Sequence, residues 1–551
     1  MSSSEPTPGQ PTGSPPSDGL PAVPRQLTAH EIEAWRPSIN PWVIALTVTL
    51  ATFMEVLDTS IANVALPHIA GNLSSGLDEA TWVLTSYLVS NAIILPLNGW
   101  FSAVLGRKRY YMISVGIFTV SSALCGFATN LGMLVFFRIL QGIGGGGLQP
   151  TEQAILADTF PREKRSMGMA IYGVAVVTAP IIGPTLGGWI TDNFTWRWIF
   201  FINIPVGIVS LTLTSRLVQD PPFLKRVKWG QMKVDTIGLG LIAVGLGFMQ
   251  VVLDKGQTED WFASQFITVL SVLAVAALVG AIFWELRVKE PVIELRLLRN
   301  RNFFISNILM FMLGFVLYGS TALLPLFMQN MLGYTAMQSG MALSPGGFIS
   351  MMLFPIVGAL VMRVQARWVV MIGIAGVAGA LIYMSHFTLG ISFHMAVLAR
   401  CIQAFGLAFL FVPINQMAFH FIPRQKNNAA SGLINLARNL GGSCGIAFAV
   451  TLLSRRAQFH QNVLSSQMSV YNPNFQTALA GAKQMMLAHG SDPARASQQA
   501  YAMLGNSLTR QATFLSYLDD FRVMAFFFLA MIPLLFMMKK TKPHKDGMVV
   551  H

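Results

Sequence analysis

Long apolar runs dominate this chain, and they leave few folds open to it. About 14 stretches reach the roughly 20 residues that a helix needs to cross a bilayer. They lie near 42–66, 80–104, 110–129, 131–156, 166–190, 199–218, 235–253, 263–285, 304–329, 340–364, 367–387, 391–418, 431–453 and 522–538. Only 11% of the residues are charged and 53% are hydrophobic, against roughly 25% charged in a typical soluble protein. A soluble fold cannot hide that much apolar surface. The chain is therefore read as an all-α polytopic membrane protein with 14 transmembrane helices.

The formal charge of +13 is placed by topology. Lys and Arg follow every even span: Arg107/Lys108/Arg109, Arg162/Lys164/Arg165, Lys225/Arg226/Lys228, Arg287 to Arg301, Arg363/Arg367, Arg424/Lys426, and Lys539, Lys540, Lys542 and Lys545. Short loops on the other side carry only Arg197 and Lys255. This asymmetry predicts cytoplasmic termini, and it removes the reason to expect a nucleic-acid partner. Residues 1–40, rich in Pro, Ser and Gly, read as a disordered cytoplasmic tail without the pattern of a cleavable signal. Cys125, Cys401 and Cys444 lie in apolar spans without ligand spacing, so neither a disulfide framework nor a metal site is expected.

The chain repeats itself. "RILQGIGG" from Arg138 matches "RCIQAFGL" from Arg400 at an offset of 262, which also aligns "PREK" at Pro161 with "PRQK" at Pro423. At an offset of 259, "PLNG" (Pro96, Gly99) faces "PIVG" (Pro355, Gly358). The expected domains are a six-helix half at 41–218, an inserted helix pair with linkers at 219–300, a second six-helix half at 301–538 and a tail at 539–551. Two parallel halves of this kind mark many secondary transporters, with the substrate site between them.

Gly142 to Gly147 spell G-x-G-x-x-G, but a dinucleotide loop follows a strand and has an acid about 20 residues later. Here the run lies inside an apolar span and Asp158 is too close. Close helix packing through Gly142-x-x-x-Gly146 is the better reading. Gly183-x-x-x-Gly187, with Pro184 between, repeats the device.

Ionisable groups at membrane depth are costly and need a reason. Glu55 and Asp58 lie three residues apart, on one face of the first span, and Arg138 and Glu152 share the fourth. Asp58 is either an ion-pair partner of Arg138 or a proton-coupling carboxylate, the second being preferred. Glu55 serves coupling or recognition of a cationic substrate, and Glu152 is a second acidic ligand or a helix contact. Gln141 joins Glu55, Asp58 and Glu152 as a candidate substrate-binding residue. Arg138 has a structural or tuning role, and Arg400 a structural one. Arg438 reads as snorkelling to the interface, and the second half offers no matching deep acid. No Walker A pattern or nucleophile–base constellation is present, so neither ATP drive nor an enzyme is expected.

The segments "LDTSIANVALP" (57–67), "RILQGIGGGG" (138–147), "GPTLGG" (183–188) and "WRWIFFINIPVG" (196–207) resemble the major facilitator superfamily, and within it the fourteen-helix drug:proton antiporters of EmrB/QacA type. The resemblance covers nearly the whole chain from about residue 42. It implies the major facilitator fold, no cofactor, and a proton gradient as energy source. Asp58 matches the first-helix acid linked to proton coupling and cation recognition, and Arg138 the arginine that influences proton transfer. Gly183, Pro184, Gly187 and Gly188 match the antiporter motif. The loop after the second span, "GWFSAVLGRK" (99–108), keeps Gly99, Gly106, Arg107 and Lys108 of the family's gate loop but has Ala103 and Val104 at its Asp and Arg positions. Another contact, by Arg107 or Lys108, must then hold the cytoplasmic side closed.

The 455–520 segment is a long outer loop, and loops of this length are usually functional. By resemblance it docks a periplasmic adaptor and outer-membrane channel in a tripartite pump; the alternative is a self-packed cap. The expected function is proton-coupled export of hydrophobic drugs or toxic compounds across the bacterial inner membrane, with small hydrophobic substrates and membrane lipids as partners. The alternatives are a dedicated exporter of a metabolite such as a fatty acid or siderophore, and a non-transporting membrane scaffold.

Overall fold

In lipid an apolar segment must satisfy its backbone N–H and C=O groups internally, which makes helices the outcome for these runs. The structure, a computed structural model, describes residues 37–161, 164–221, 235–288, 291–420, 422–469 and 471–538. The tail up to residue 36, Arg162, Lys225, Arg226, Lys228, Lys289 and the carboxy-terminal lysines lie outside them.

The first half contains α1 (Pro41–Asn72), α2 (Trp82–Leu105), α3 (Arg107–Gly126), α4 (Leu131–Thr159), α5 (Arg165–Asn193) and α6 (Trp198–Leu217). The inserted pair is α7 (Thr236–Lys255) and α8 (Gln265–Arg287). There follow α9 (Arg301–Leu332), α10 (Ala336–Arg363), α11 (Ala366–Met384), α12 (Phe393–Phe419), α13 (Asn427–Ser465), α14 (Pro473–Ala488), α15 (Pro493–Leu529) and α16 (Ile532–Phe536). Among the described residues 11 helices are long and apolar enough to cross a membrane, or 12 with α5. The third and fourteenth sequence spans fall on α3 and on α15–α16, which are helical but not among those that qualify.

The two halves pair their helices alike. In the first, α1 packs on α5, α4 on both α2 and α3, and α6 on α3. In the second, α9 packs on α13, α12 on both α10 and α11, and α15 on α11. Between halves, α5 meets α10, and α13 meets α2 and α4. The inserted α7 touches α2 on one side and α13 on the other. Gln250 of α7 exchanges hydrogen bonds with Ser443 of α13 (2.9 and 3.0 Å), and Trp261 donates to Thr451 at 3.0 Å. On the other side Thr85 of α2 bonds to Asp254, and Lys255 to Thr81.

The glycine run is a packing device. A Cβ on Gly146 would lie 2.8 Å from Cβ of Ile94 and 2.9 Å from the Asn91 carbonyl of α2, while one on Gly144 would lie 2.6 Å from the Phe118 nitrogen of α3. Gly187 likewise meets Cα of Ile61 on α1 at 3.2 Å, whereas nothing lies within 4 Å of the position at Gly188. Gly146→Ala is therefore expected to lower stability by about 1–3 kcal/mol through overpacking, and Gly188→Ala to leave it unchanged. Melting of the purified variants in detergent checks both.

The outer segment is more ordered than a loop. The 39 residues of α13 and 37 of α15 correspond to about 55–60 Å of helix against a hydrocarbon core of about 30 Å. Both continue beyond the bilayer as a stalk, with α14 packed on α15 through Phe475 and Tyr501. Asp519 fastens the stalk, accepting from Arg456 at 2.6 Å and from His460 at 2.8 Å. Beside it, Asp520 is fully buried with neither oxygen hydrogen-bonded. The second half thus does contain a buried acid, two residues before its last apolar run at 522–538.

Candidate functional site

Five of the residues singled out above converge where α1 faces α4. The three-residue spacing of Glu55 and Asp58 puts both carboxylates on the α4 side of α1, and α4 answers with a polar stripe: Arg138, Gln141, Gln149 and Glu152. All are buried.

Asp58 is fully engaged. One oxygen accepts from Arg138 at 2.7 Å; the other accepts from Gln141 at 3.0 Å and Asn203 of α6 at 2.7 Å. Arg138 also donates to the Gln141 oxygen (2.8 Å) and the Val83 carbonyl (3.0 Å), and its guanidinium lies 4.3 Å from the centre of the Tyr87 ring. The Asp58–Arg138 ion pair is 2% and 0% exposed. A charge pair so enclosed holds only while both partners are present, because either alone would be a buried uncompensated charge.

Glu55 has a different setting, with donors but no cation directly on it. It accepts from Gln149 at 2.8 Å, Tyr87 at 3.2 Å and Asn91 at 3.3 Å. Gln149 carries the connection onward: its oxygen accepts from Tyr172 of α5 at 2.9 Å and from Arg438 of α13. Arg438 donates to the Tyr172 hydroxyl at 2.8 Å, and Asn435 donates to Gln153 of α4 at 2.9 Å. An unbroken polar path therefore runs from an acid in the first half to an arginine in the second. Arg438 does not snorkel. It is 1% exposed, because the packing of α13 on α4 turns it inward, where Gln149 of α4 and Tyr172 of α5 supply acceptors.

Glu152 accepts from Thr49 at 2.6 Å through one oxygen, while its second oxygen has no donor. It lies one helical turn along α4 from Gln149, which donates to Glu55. Gly183 packs against Ser60 of α1, two residues beyond Asp58, and Ser60 donates to the Pro180 carbonyl at 3.1 Å. The Gly183/Gly187 face therefore sets the seat of α1 rather than contacting the carboxylates, while Pro184 lies beside Gly340 of α10.

The loop between α2 and α3 pairs with another acid. Gly106 adopts φ 83°, the left-handed region that favours glycine, and turns α2 into α3. Arg107 forms a buried ion pair with Asp158 at the end of α4. Asp158 also accepts from Asn427 of α13 at 3.0 Å, joining the halves. A Cβ on Gly99 would lie 3.2 Å from that of Ala429, and Ser166 donates to the Gly358 carbonyl at 2.9 Å. Lys108 stays within its half, donating to the Ser215 carbonyl at 2.6 Å. The end of the bundle that carries the basic loops is thus closed without an acid at position 103. Asp158→Ala should loosen it: a Cys at position 429, in a chain freed of its other cysteines, is expected to react roughly tenfold faster with an impermeant maleimide, equivalent to about 1.4 kcal/mol in the opening equilibrium.

Sequence reasoning missed Tyr87, Asn91, Gln149, Tyr172, Asn203, Asp158 and Asn435. Gln149 and Tyr172 carried a usable signal, since polar groups inside apolar spans need partners.

Two equivalent six-helix halves joined by a buried polar path, with one end shut by contacts between them, define a membrane transporter that works between its halves. The Major Facilitator Superfamily model matches residues 48–446, and the chain belongs to that family. It is 35% identical to the multidrug export protein EmrB of Escherichia coli (strain K12) over 498 residues, 90% of this chain and 95% of that one. It is also 35% identical to the fatty acid resistance protein FarB of Neisseria gonorrhoeae over 499 residues, 90% of this chain and 96% of that one. A solved structure of the proton:xylose symporter XylE shares the fold, with a TM-score of 0.56 at 15% identity over 90% of this chain and 96% of that one.

Proposed function

We propose that the chain exports hydrophobic compounds from the cytoplasm across the inner membrane in exchange for protons, with both termini cytoplasmic. The similarity to multidrug export proteins supports the class of cargo. The observation that carries the coupling is the path from Glu55 through Gln149 to Arg438. Ionised, Glu55 accepts from three donors; a proton turns one of its oxygens into a donor facing groups that also donate, so the bridge between halves must rearrange. Asp58 can take a proton only by leaving Arg138, which makes the ion pair a second step tied to the same helix. Glu152, with a free oxygen one turn from Gln149, is the third proton-binding group. A scaffold would have no use for these acids.

The stalk of α13 and α15 is the proposed docking element for a periplasmic adaptor leading to an outer-membrane channel. Together with α14 and the turn before it, it presents Phe459, Val463, Tyr471 and Met485 to solvent, a surface that fits a protein partner better than water.

Acidified everted vesicles test the central claim. Lipophilic cations and neutral drugs are expected to release luminal protons only when the protein is present. No response to any compound in such a panel would refute broad proton-coupled export.

A further inference from the structure

The second half copies the Asp58 site without its acid. The 262-residue offset carries Arg138 to Arg400 and Gln141 to Gln403, and the α9 residue that Gln403 reaches, Ser320, stands where Gln141 reaches Asp58. The 259-residue offset between α2 and α10 carries Tyr87 to Gly346. The hydrogen bonds agree with this register. Arg400 donates to the Gln403 oxygen at 2.7 Å, as Arg138 does to Gln141 at 2.8 Å. Gln403 donates to the Ser320 hydroxyl at 2.6 Å, as Gln141 does to Asp58 at 3.0 Å. A Cβ on Gly346 would lie 3.0 Å from Cγ of Arg400, so α10 packs against the stem of Arg400 at the position equivalent to Tyr87, whose ring stacks on Arg138.

Two things are missing from the copy: a carboxylate and an aromatic ring. Arg400 is 1% exposed, its Nε has no acceptor, and it forms no ion pair among the described residues. In the first half the equivalent Nε donates to Val83. A buried guanidinium without a counter-charge is costly, and the cost falls if a ligand supplies the charge. A carboxylate in the place of the Asp58 side chain would meet Arg400 and the Ser320 hydroxyl. A ring in the place of Tyr87 would lie against the guanidinium, a favourable cation–π arrangement.

We infer that Arg400, Gln403 and Ser320, beneath Gly346, form a seat for an aromatic monocarboxylate, a site separate from the acids of the first half. It adds anionic cargo to the exporter reading and rests on it. Closed in this conformation, the seat fills when the second half loosens around α10 and α12.

Equilibrium dialysis of the purified full-length protein in detergent against 2-naphthoate and its neutral amide tests the seat. The wild type is expected to bind naphthoate saturably and the amide at least roughly tenfold more weakly, since a charged acceptor makes the stronger hydrogen bonds. Arg400→Gln removes the cation, and Ser320→Asp fills the seat with a tethered carboxylate. Both should weaken naphthoate at least tenfold. Neither should lower the melting temperature, because each removes or answers the uncompensated charge. Unchanged naphthoate affinity in the well-folded Ser320→Asp protein, or equal binding of acid and amide to the wild type, overturns the assignment. So does retention of chloride alone, which would make this a seat for a small ion. Cation-driven proton release from wild-type vesicles is read independently. A protein that passes that test but binds no naphthoate loses the seat and keeps the exporter function.

Discussion

Asp58→Asn is expected to abolish cation-driven proton release and to lower the melting temperature of the protein together. The substitution strands Arg138, fully buried, opposite a neutral amide. Breaking a buried pair from one side costs about 3–5 kcal/mol, enough to shift an equilibrium by roughly two to three and a half decades. Loss of activity alone would not distinguish coupling from simple stabilisation. The double variant Asp58→Asn/Arg138→Gln does. With both charges gone, Gln141 and Asn203 can still bond to the amide, and the melting temperature should recover most of the loss. If Asp58 carries a proton, release remains absent in the double variant; if it returns, the pair is only structural.

Glu55→Gln is expected to spare the fold and still cut proton release to below about a tenth of wild type. A glutamine has nearly the shape of the acid but only one accepting oxygen, so one of the three donors from Gln149, Tyr87 and Asn91 would face an NH2 group. Leaving one buried donor unpaired costs about 1–3 kcal/mol, tolerable for the bundle but decisive for a bridge that must open and close. Arg438→Gln removes the other end of the path and should act in the same direction. Vesicle assays of the two single variants and their combination check this. If the residues work through one path, the double loss should fall well short of the product of the single losses. Independent roles would multiply.

How much of this was legible beforehand can be traced residue by residue. The helices of the core were readable because lipid enforces both length and apolarity. The end of α13 was not: hydropathy falls at Arg455 and Arg456, yet the helix continues to Ser465 because it has left the lipid, and Asp519 receives Arg456 and His460. The acids of α1 and the stripe on α4 were visible because a charge in an apolar run has no innocent explanation. Arg438 was misread since its partners, Gln149 and Tyr172, stand 289 and 266 residues away in the chain, and no local pattern links them. In the sequence Asp158 stands out only as an acid at the wrong distance from the glycine run. Its bond to Asn427 spans 269 residues, again a matter of packing rather than of pattern.

The inserted α7 grips α2 on one side and α13 on the other, through Asp254 and Lys255 toward the first and Gln250 toward the second. In the proposed exchange cycle helices from opposite halves slide past one another, so one grip has to slip while the other holds. The pair α7–α8 then behaves as a clutch rather than as ballast. The half it stays with moves as an eight-helix body against six, and the strength of the slipping grip sets how readily the transporter turns over.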